Sequence, residues 1–339
     1  MDIKFCYKQS ANGVSHRKSR RSIGLCAAFL AMFSLYCLGA MAQSGGRLIR
    51  IDNPVNKTLT ELDLPDTLDP RLQTLLIFYA LPNGNSIEWT RGKKITGNDD
   101  WHFDIQHIAA QTRYLRQVMD DHNIIVAYMA NSLKSWPAWK RLSPENPFEI
   151  RRLVDSIGGI FQAFHPDIML NSHSGGGSFV FGYLDAVDRI PDRIKRIAFI
   201  DSDYGYEDSL HTAKLGRWLS AGRDHFLTVL AYNDSVVIFN GKPLVSPTGG
   251  TWWRSQLLQR KLADSFSFKA TADTAFRTYR GLAGRIDIRL KTNPEGKIYH
   301  TEQVARNGFI HTVIGGTKYE KKGGYTYWGD RAYSAFIAE

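Results

Sequence analysis

The chain has 339 residues and a formal net charge of +10, from 43 Lys and Arg against 33 Asp and Glu. Its length allows one large α/β domain. No run of Lys or Arg is interleaved with stacking aromatics, so the basic balance does not amount to a nucleic-acid footprint.

Residues 1–42 read as a cleavable export signal. Arg17, Lys18, Arg20 and Arg21 precede the apolar segment Ile23 to Leu38, and Ala40-Met41-Ala42 offers a small-x-small cleavage site before Gln43. The segment is short for a membrane span, so cleavage is favoured over an anchor, with a periplasmic or secreted location and no membrane contact afterwards. Ser19-Arg20-Arg21-Ser22-Ile23 leaves a twin-arginine route open beside the general one. All three cysteines (Cys6, Cys26, Cys37) lie in this segment, so the chain from Gln43 onward has no disulfide, thiolate nucleophile or cysteine metal site. The segment also takes six basic residues and one acidic one, leaving 37 against 32, a mild net charge of +5.

Residues 43–73 are rich in Pro and Asp and read as an irregular lead-in, with Leu48 to Ile51 as one candidate edge strand. From Thr74 apolar runs bounded by turn residues alternate with segments of helical period. Leu75 to Leu81 is a buried strand. Ile105, Ile108, Ala109, Thr112, Leu115 and Met119 share a helix face, and Ile124 to Met129 is the next strand. Ile150, Leu153, Val154, Ile157, Ile160, Phe161 and Phe164 make a second helix, closed by Pro166.

The apolar run Ile168-Met169-Leu170 then leads into Asn171-Ser172-His173-Ser174-Gly175-Gly176-Gly177. A strand entering small-x-Ser-x-small holds a serine hydroxyl on a tight strand-to-helix turn, where the strained backbone leaves no room for larger side chains. Ser172 and Gly176 fill the small positions, so Ser174 stands at the tip as a nucleophile. Downstream come a helix starting at the glycines, the strand Ile197 to Ile200, a helix near Leu210 to Leu219, the strand Phe226 to Tyr232 and a helix over 253–263. Residues 265–305 alternate and read as an inserted β segment. Nearly all-apolar strands between helices imply a mostly parallel sheet with helices on both faces.

A serine nucleophile needs a base oriented by an acid, and donors for the tetrahedral oxyanion. The backbone N–H of Gly175 supplies one donor. The loop Pro82-Asn83-Gly84-Asn85-Ser86, two strand–helix units upstream, offers the other from Asn83, Gly84 or Asn85.

In order and spacing the chain resembles the α/β-hydrolase superfamily. The resemblance rests on Phe78-Tyr79-Ala80-Leu81-Pro82-Asn83-Gly84-Asn85, the serine turn, Val229-Leu230-Ala231-Tyr232-Asn233-Asp234, Gly249-Gly250-Thr251-Trp252 and Asn307-Gly308-Phe309-Ile310-His311. On these stretches it is similar to uncharacterised secreted bacterial hydrolases of that superfamily. The family places its nucleophile after the fifth strand, its acid after the seventh and its histidine near the C-terminus. The resemblance therefore implies Asp234 as the acid, with Asp201 or Asp203 after the sixth strand as the alternative, and His311 as the base ahead of His300, which stands in an alternating stretch. His173, Trp252 and Arg254 are implied pocket residues. Ser172 replaces the first glycine of the commonest form of the turn, and the His-Gly-Gly run of many lipases is missing from the oxyanion loop.

The expected activity is cleavage of an ester through a Ser-His-Asp triad and an acyl-enzyme, without a cofactor, on a small-molecule or peptide- or glycan-linked substrate. An amidase or peptidase of the same fold, or a binding protein that has lost the chemistry, are the alternatives. No Gly-Lys-Ser/Thr follows the glycines, which excludes a phosphate-cradling loop. Asp99, Asp100, His102, Asp104 and His107 lack metal-ligand spacing and read as a helix cap with solvated charges.

Overall fold

In the computed structural model residues 46–338 are described; the export segment read over 1–42 lies outside them. Residues 47–64, expected to be largely irregular, pair instead as two antiparallel strands, β1 (Arg47–Asn53) and β2 (Thr58–Leu64). Within this span the proline lies in the turn at 54–57, where it does not interrupt either strand. Thr58 to Leu64 alternates, and Leu62 and Leu64 are buried.

Strands β3 (Gln73–Ala80), β4 (His122–Asn131), β5 (Asp167–His173), β6 (Ile194–Ile200) and β7 (Phe226–Tyr232) run parallel. A small hairpin, β8 (Ile238–Phe239) and β9 (Lys242–Pro243), stands apart from the main sheet. The stretch read as an inserted β segment extends the main sheet. β10 (Phe268–Ala272) and β11 (Phe276–Gly281) pair antiparallel, and β12 (Ile286–Lys291) closes parallel against β7. The strand order is β1-β2-β4-β3-β5-β6-β7-β12-β11-β10.

Side chains alternate across each strand and divide the core in two. Leu76, Phe78 and Ala80 of β3 join one buried cluster, and Leu75, Ile77 and Tyr79 join the other. The first is covered by α2 (Asn146–Ile160), α3 (Gly177–Asp185), α4 (Asp208–Ala221) and α5 (Thr251–Ala263), the second by α1 (Ile108–Val118) and α6 (Gly308–Ile314). Among the described residues no helix is long and apolar enough to cross a membrane.

The stretch 307–311, read as a loop, is the start of α6. Phe309, Ile310, Val313 and Ile314 follow helical spacing into the second cluster, and Gly315-Gly316 ends the helix. The buried Arg196 fixes its end, donating to the carbonyls of Thr312 (3.1 Å) and Gly315 (2.7 Å) beneath the Phe226 ring. Burial pushes its guanidinium down to about 9. His300, read as a strand side chain, lies in the irregular stretch after β12, because Pro294-Glu295-Gly296 breaks the strand.

Candidate active site

Parallel strands bring their C-terminal ends to one edge of the sheet. His173 is in register with Ile200, and Ile200 with Leu230, so Ser174 and Asp201 leave adjacent strands side by side. Both take left-handed backbone conformations, Ser174 with φ 55° and Asp201 with φ 45°. Such geometry is costly for residues bearing a Cβ and persists only where surrounding structure enforces it. Ser174 is half-buried and opens the short turn that becomes α3.

The glycines let neighbouring loops close on this turn. A Cβ on Gly175 would lie 2.1 Å from Asn83 Oδ1, one on Gly176 2.1 Å from the Ala80 carbonyl, and one on Gly177 1.7 Å from the Ser202 carbonyl. Below the turn the Ser172 hydroxyl bonds that of Ser202 (2.8 Å), which in turn donates to the Ser172 carbonyl (3.2 Å). Sequence reasoning required small residues beside Ser174; the packing supplies the reason.

In the candidate oxyanion loop, the Gly84 N–H donates to the Lys134 carbonyl (2.7 Å) and the Asn85 N–H to the Pro82 carbonyl (3.4 Å). Asn83 is exposed, its carboxamide lies against Gly175, and its donors are uncommitted among the described hydrogen bonds.

His300 lies beside the turn, against His173. Its Nδ1 bonds Oδ2 of the fully buried Asp201, and its carbonyl accepts from His173 Nε2 (3.1 Å). The rings of His173 and His300 lie 4.7 Å apart, which sets the His300 ring beside the residue preceding Ser174. A carboxylate on Nδ1 holds the proton there and leaves Nε2 as the basic nitrogen. His173 is buried, and burial beside His300 keeps its pKa well below the usual histidine range, so it stays neutral.

Two of the expected triad residues are committed elsewhere. Both ring nitrogens of the buried His311 are bonded, Nε2 to Asp287 Oδ2 (3.0 Å) and Nδ1 to the Tyr325 hydroxyl (2.8 Å). Asp287 is in register with Thr228, near the start of β7 and away from the strand ends where Ser174 lies. His311 therefore has no free nitrogen to serve as a base. Asp234 follows the seventh strand as expected, but its carboxylate accepts the Thr251 N–H (2.9 Å) and caps α5. Gly250 is required there, since a Cβ would lie 2.3 Å from that carboxylate.

Thr251 links the acids, donating its hydroxyl to Asp201 Oδ1 and lying 3.4 Å from Asp234 Oδ2. Burial and the Asp201 charge push the Asp234 carboxyl up to about 6, and burial pushes Asp203, which accepts from the Ser255 hydroxyl (2.7 Å), up to about 8.

Of the other expected pocket residues, Trp252 packs against the first core cluster under Arg277, and Arg254 donates to the Tyr206 carbonyl (2.8 Å). Among the described residues no group of three or more His, Cys, Asp or Glu could hold a metal ion. Asp100 caps the short turn at 101–104, as its sequence setting implied.

The mostly parallel sheet, its strand order and the strained serine turn after the fifth strand match the arrangement expected of the α/β-hydrolase fold. No protein-family model matches the chain, and no curated protein matches it in sequence. Among solved structures it is similar to a thermostable esterase, at 13% identity and a TM-score of 0.48 over 80% of this chain. The match covers 63% of that esterase, less than two thirds of its length. It is also similar to a feruloyl esterase module from Clostridium thermocellum in complex with sinapinate (11% identity, TM-score 0.47, 81% of this chain and 89% of that one). A third is an acetyl xylan esterase from Aspergillus awamori (10%, 0.42, 73% and 93%).

Proposed function

We propose that this protein is a serine hydrolase that cleaves carboxylic esters, with Ser174 as nucleophile, His300 as general base and Asp201 as the acid. The reading is carried by one observation: a histidine held by a buried carboxylate lies against the residue preceding a serine in a strained strand-to-helix turn. Ser174 Oγ attacks the ester carbonyl while His300 Nε2 takes its proton. Asp201 keeps the imidazole in the right tautomer and stabilises the imidazolium. The N–H of Gly175 and a donor of Asn83 hold the oxyanion. His300 then returns the proton to the leaving alcohol, and water enters by the same steps in reverse to release the acid. Ester rather than amide cleavage is favoured because no residue marks recognition of a peptide terminus.

A fluorophosphonate probe tests this directly. Wild-type protein should be labelled and Ser174→Ala should not; a folded wild type that stays unlabelled overturns the reading. Export is a separate proposal resting on residues 1–42, and N-terminal sequencing of periplasmic or medium protein should begin at Gln43.

A further inference from the structure

Asp201 has two carboxylate oxygens, and the proposed mechanism uses only Oδ2. The other, Oδ1, is buried away from water and is held by the Thr251 hydroxyl. Thr251 is the first residue of α5, on the far side of Asp201 from His300, and is itself fully buried. Its backbone N–H is bonded to Asp234 Oδ2 at 2.9 Å. The run is therefore continuous: His300 Nδ1, the Asp201 carboxylate, the Thr251 hydroxyl and backbone, and the Asp234 carboxylate.

We propose that Thr251 and Asp234 are positioning residues for the acid of the triad, Thr251 by clamping the free oxygen of Asp201 and Asp234 by anchoring Thr251 at the start of α5. The proposal rests on Ser174, His300 and Asp201 being the triad. Three features of the packing argue for it. Asp201 is held in a left-handed backbone (φ 45°), a strained conformation that persists only where surrounding contacts enforce it. A carboxylate held at one oxygen still swings about χ2, whereas one held at both presents a fixed lone pair to His300. Finally, Gly250 leaves space for Asp234 and for no side chain of its own, so the acid after the seventh strand is built into the helix start.

The experiment compares wild type, Thr251→Val, Thr251→Ser and Asp234→Ala in the full chain. It reads kcat and KM on an activated ester across pH, fluorophosphonate labelling rate, and the downfield proton resonance of the His300–Asp201 hydrogen bond. Valine keeps the shape and loses the hydroxyl. We expect Thr251→Val to lower kcat by about 10- to 100-fold at unchanged KM, the loss expected for one hydrogen bond to a charged group, and to shift the resonance. Serine should restore both to within a few-fold. Asp234→Ala, which removes the acceptor of the Thr251 N–H, should lower kcat at unchanged KM and shift the same resonance, and wild-type values there would overturn the anchoring role of Asp234. Wild-type kcat, resonance and labelling in Thr251→Val would overturn the proposal and leave the triad standing. So would a loss that serine fails to restore, since that marks a purely structural role. A wild type that is never labelled removes the triad and the proposal together.

Discussion

His311 and His300 should respond to alanine in opposite ways. The His311 side chain is 1% exposed; it bonds Asp287 and Tyr325 and stacks at 5.3 Å on Tyr327. His311→Ala removes a hydrogen bond to a charged group, about 1.5–3 kcal/mol, and leaves a cavity of most of an imidazole. Arg289 (3.0 Å) and Arg280 (3.5 Å) still neutralise Asp287, which limits the damage. Together the loss should be about 3–5 kcal/mol. At a urea dependence of roughly 3 kcal/mol per M, that is a fall of roughly 1–1.7 M in the unfolding midpoint. Turnover per folded molecule should be unchanged. The His300 side chain is 25% exposed, so His300→Ala should cost only about 1 kcal/mol in stability, while kcat falls by about 10⁴-fold. Tryptophan-fluorescence unfolding and hydrolysis of an activated ester, both normalised to folded protein, read the two effects. A stable but inactive His311→Ala, or an active His300→Ala, would refute the assignment.

Other outcomes follow from the same geometry. The Asp203 carboxyl, at about 8 in the folded protein against 3.8 as its ordinary value, binds its proton more tightly when folded, so its contribution to stability is complete below about pH 4 and is lost as pH rises toward 8. Asp203→Asn should therefore raise the melting temperature at pH 8 by the equivalent of a few kcal/mol, and leave it nearly unchanged at pH 4. Asn83→Ala should lower kcat by about 10²- to 10³-fold with KM unchanged, and a kcat within twofold of wild type would remove Asn83 from the oxyanion site. Gly177→Ala, whose methyl would lie 1.7 Å from the Ser202 carbonyl, should force the turn and the β6 loop apart and abolish labelling of Ser174, whereas the same change at the unobstructed Gly216 on α4 should not.

Most of the sheet was legible because each parallel strand is an apolar run bounded by turn residues. Phe226 to Tyr232 is read to the residue, and the serine turn follows the fifth strand, as the small residues around Ser174 required. Local pattern failed where two readings shared one signal. Ile298 and His300 alternate as a strand would, but the preceding Pro-Glu-Gly turn leaves them in a loop, and a histidine in the loop after the last strand is what the chemistry asks for. Phe309-Ile310 and Val313-Ile314, three and four apart before two glycines, spell a helix through His311, and that spacing was available in the sequence. Nothing local separates Asp234 from Asp201, since both follow a strand and precede a short turn.

The sequence by itself determined the alternation of strands and helices and the serine turn that follows an apolar strand, because burial period and backbone strain are short-range properties. Which histidine meets which carboxylate was decided by the tertiary structure alone. Asp201 and His300 are 99 residues apart, and Asp234 is drawn to Thr251 only because α5 begins beside the strand end. Such pairings depend on how parallel strand ends and helix starts converge on one edge of the sheet, and that convergence leaves no periodic mark in the chain.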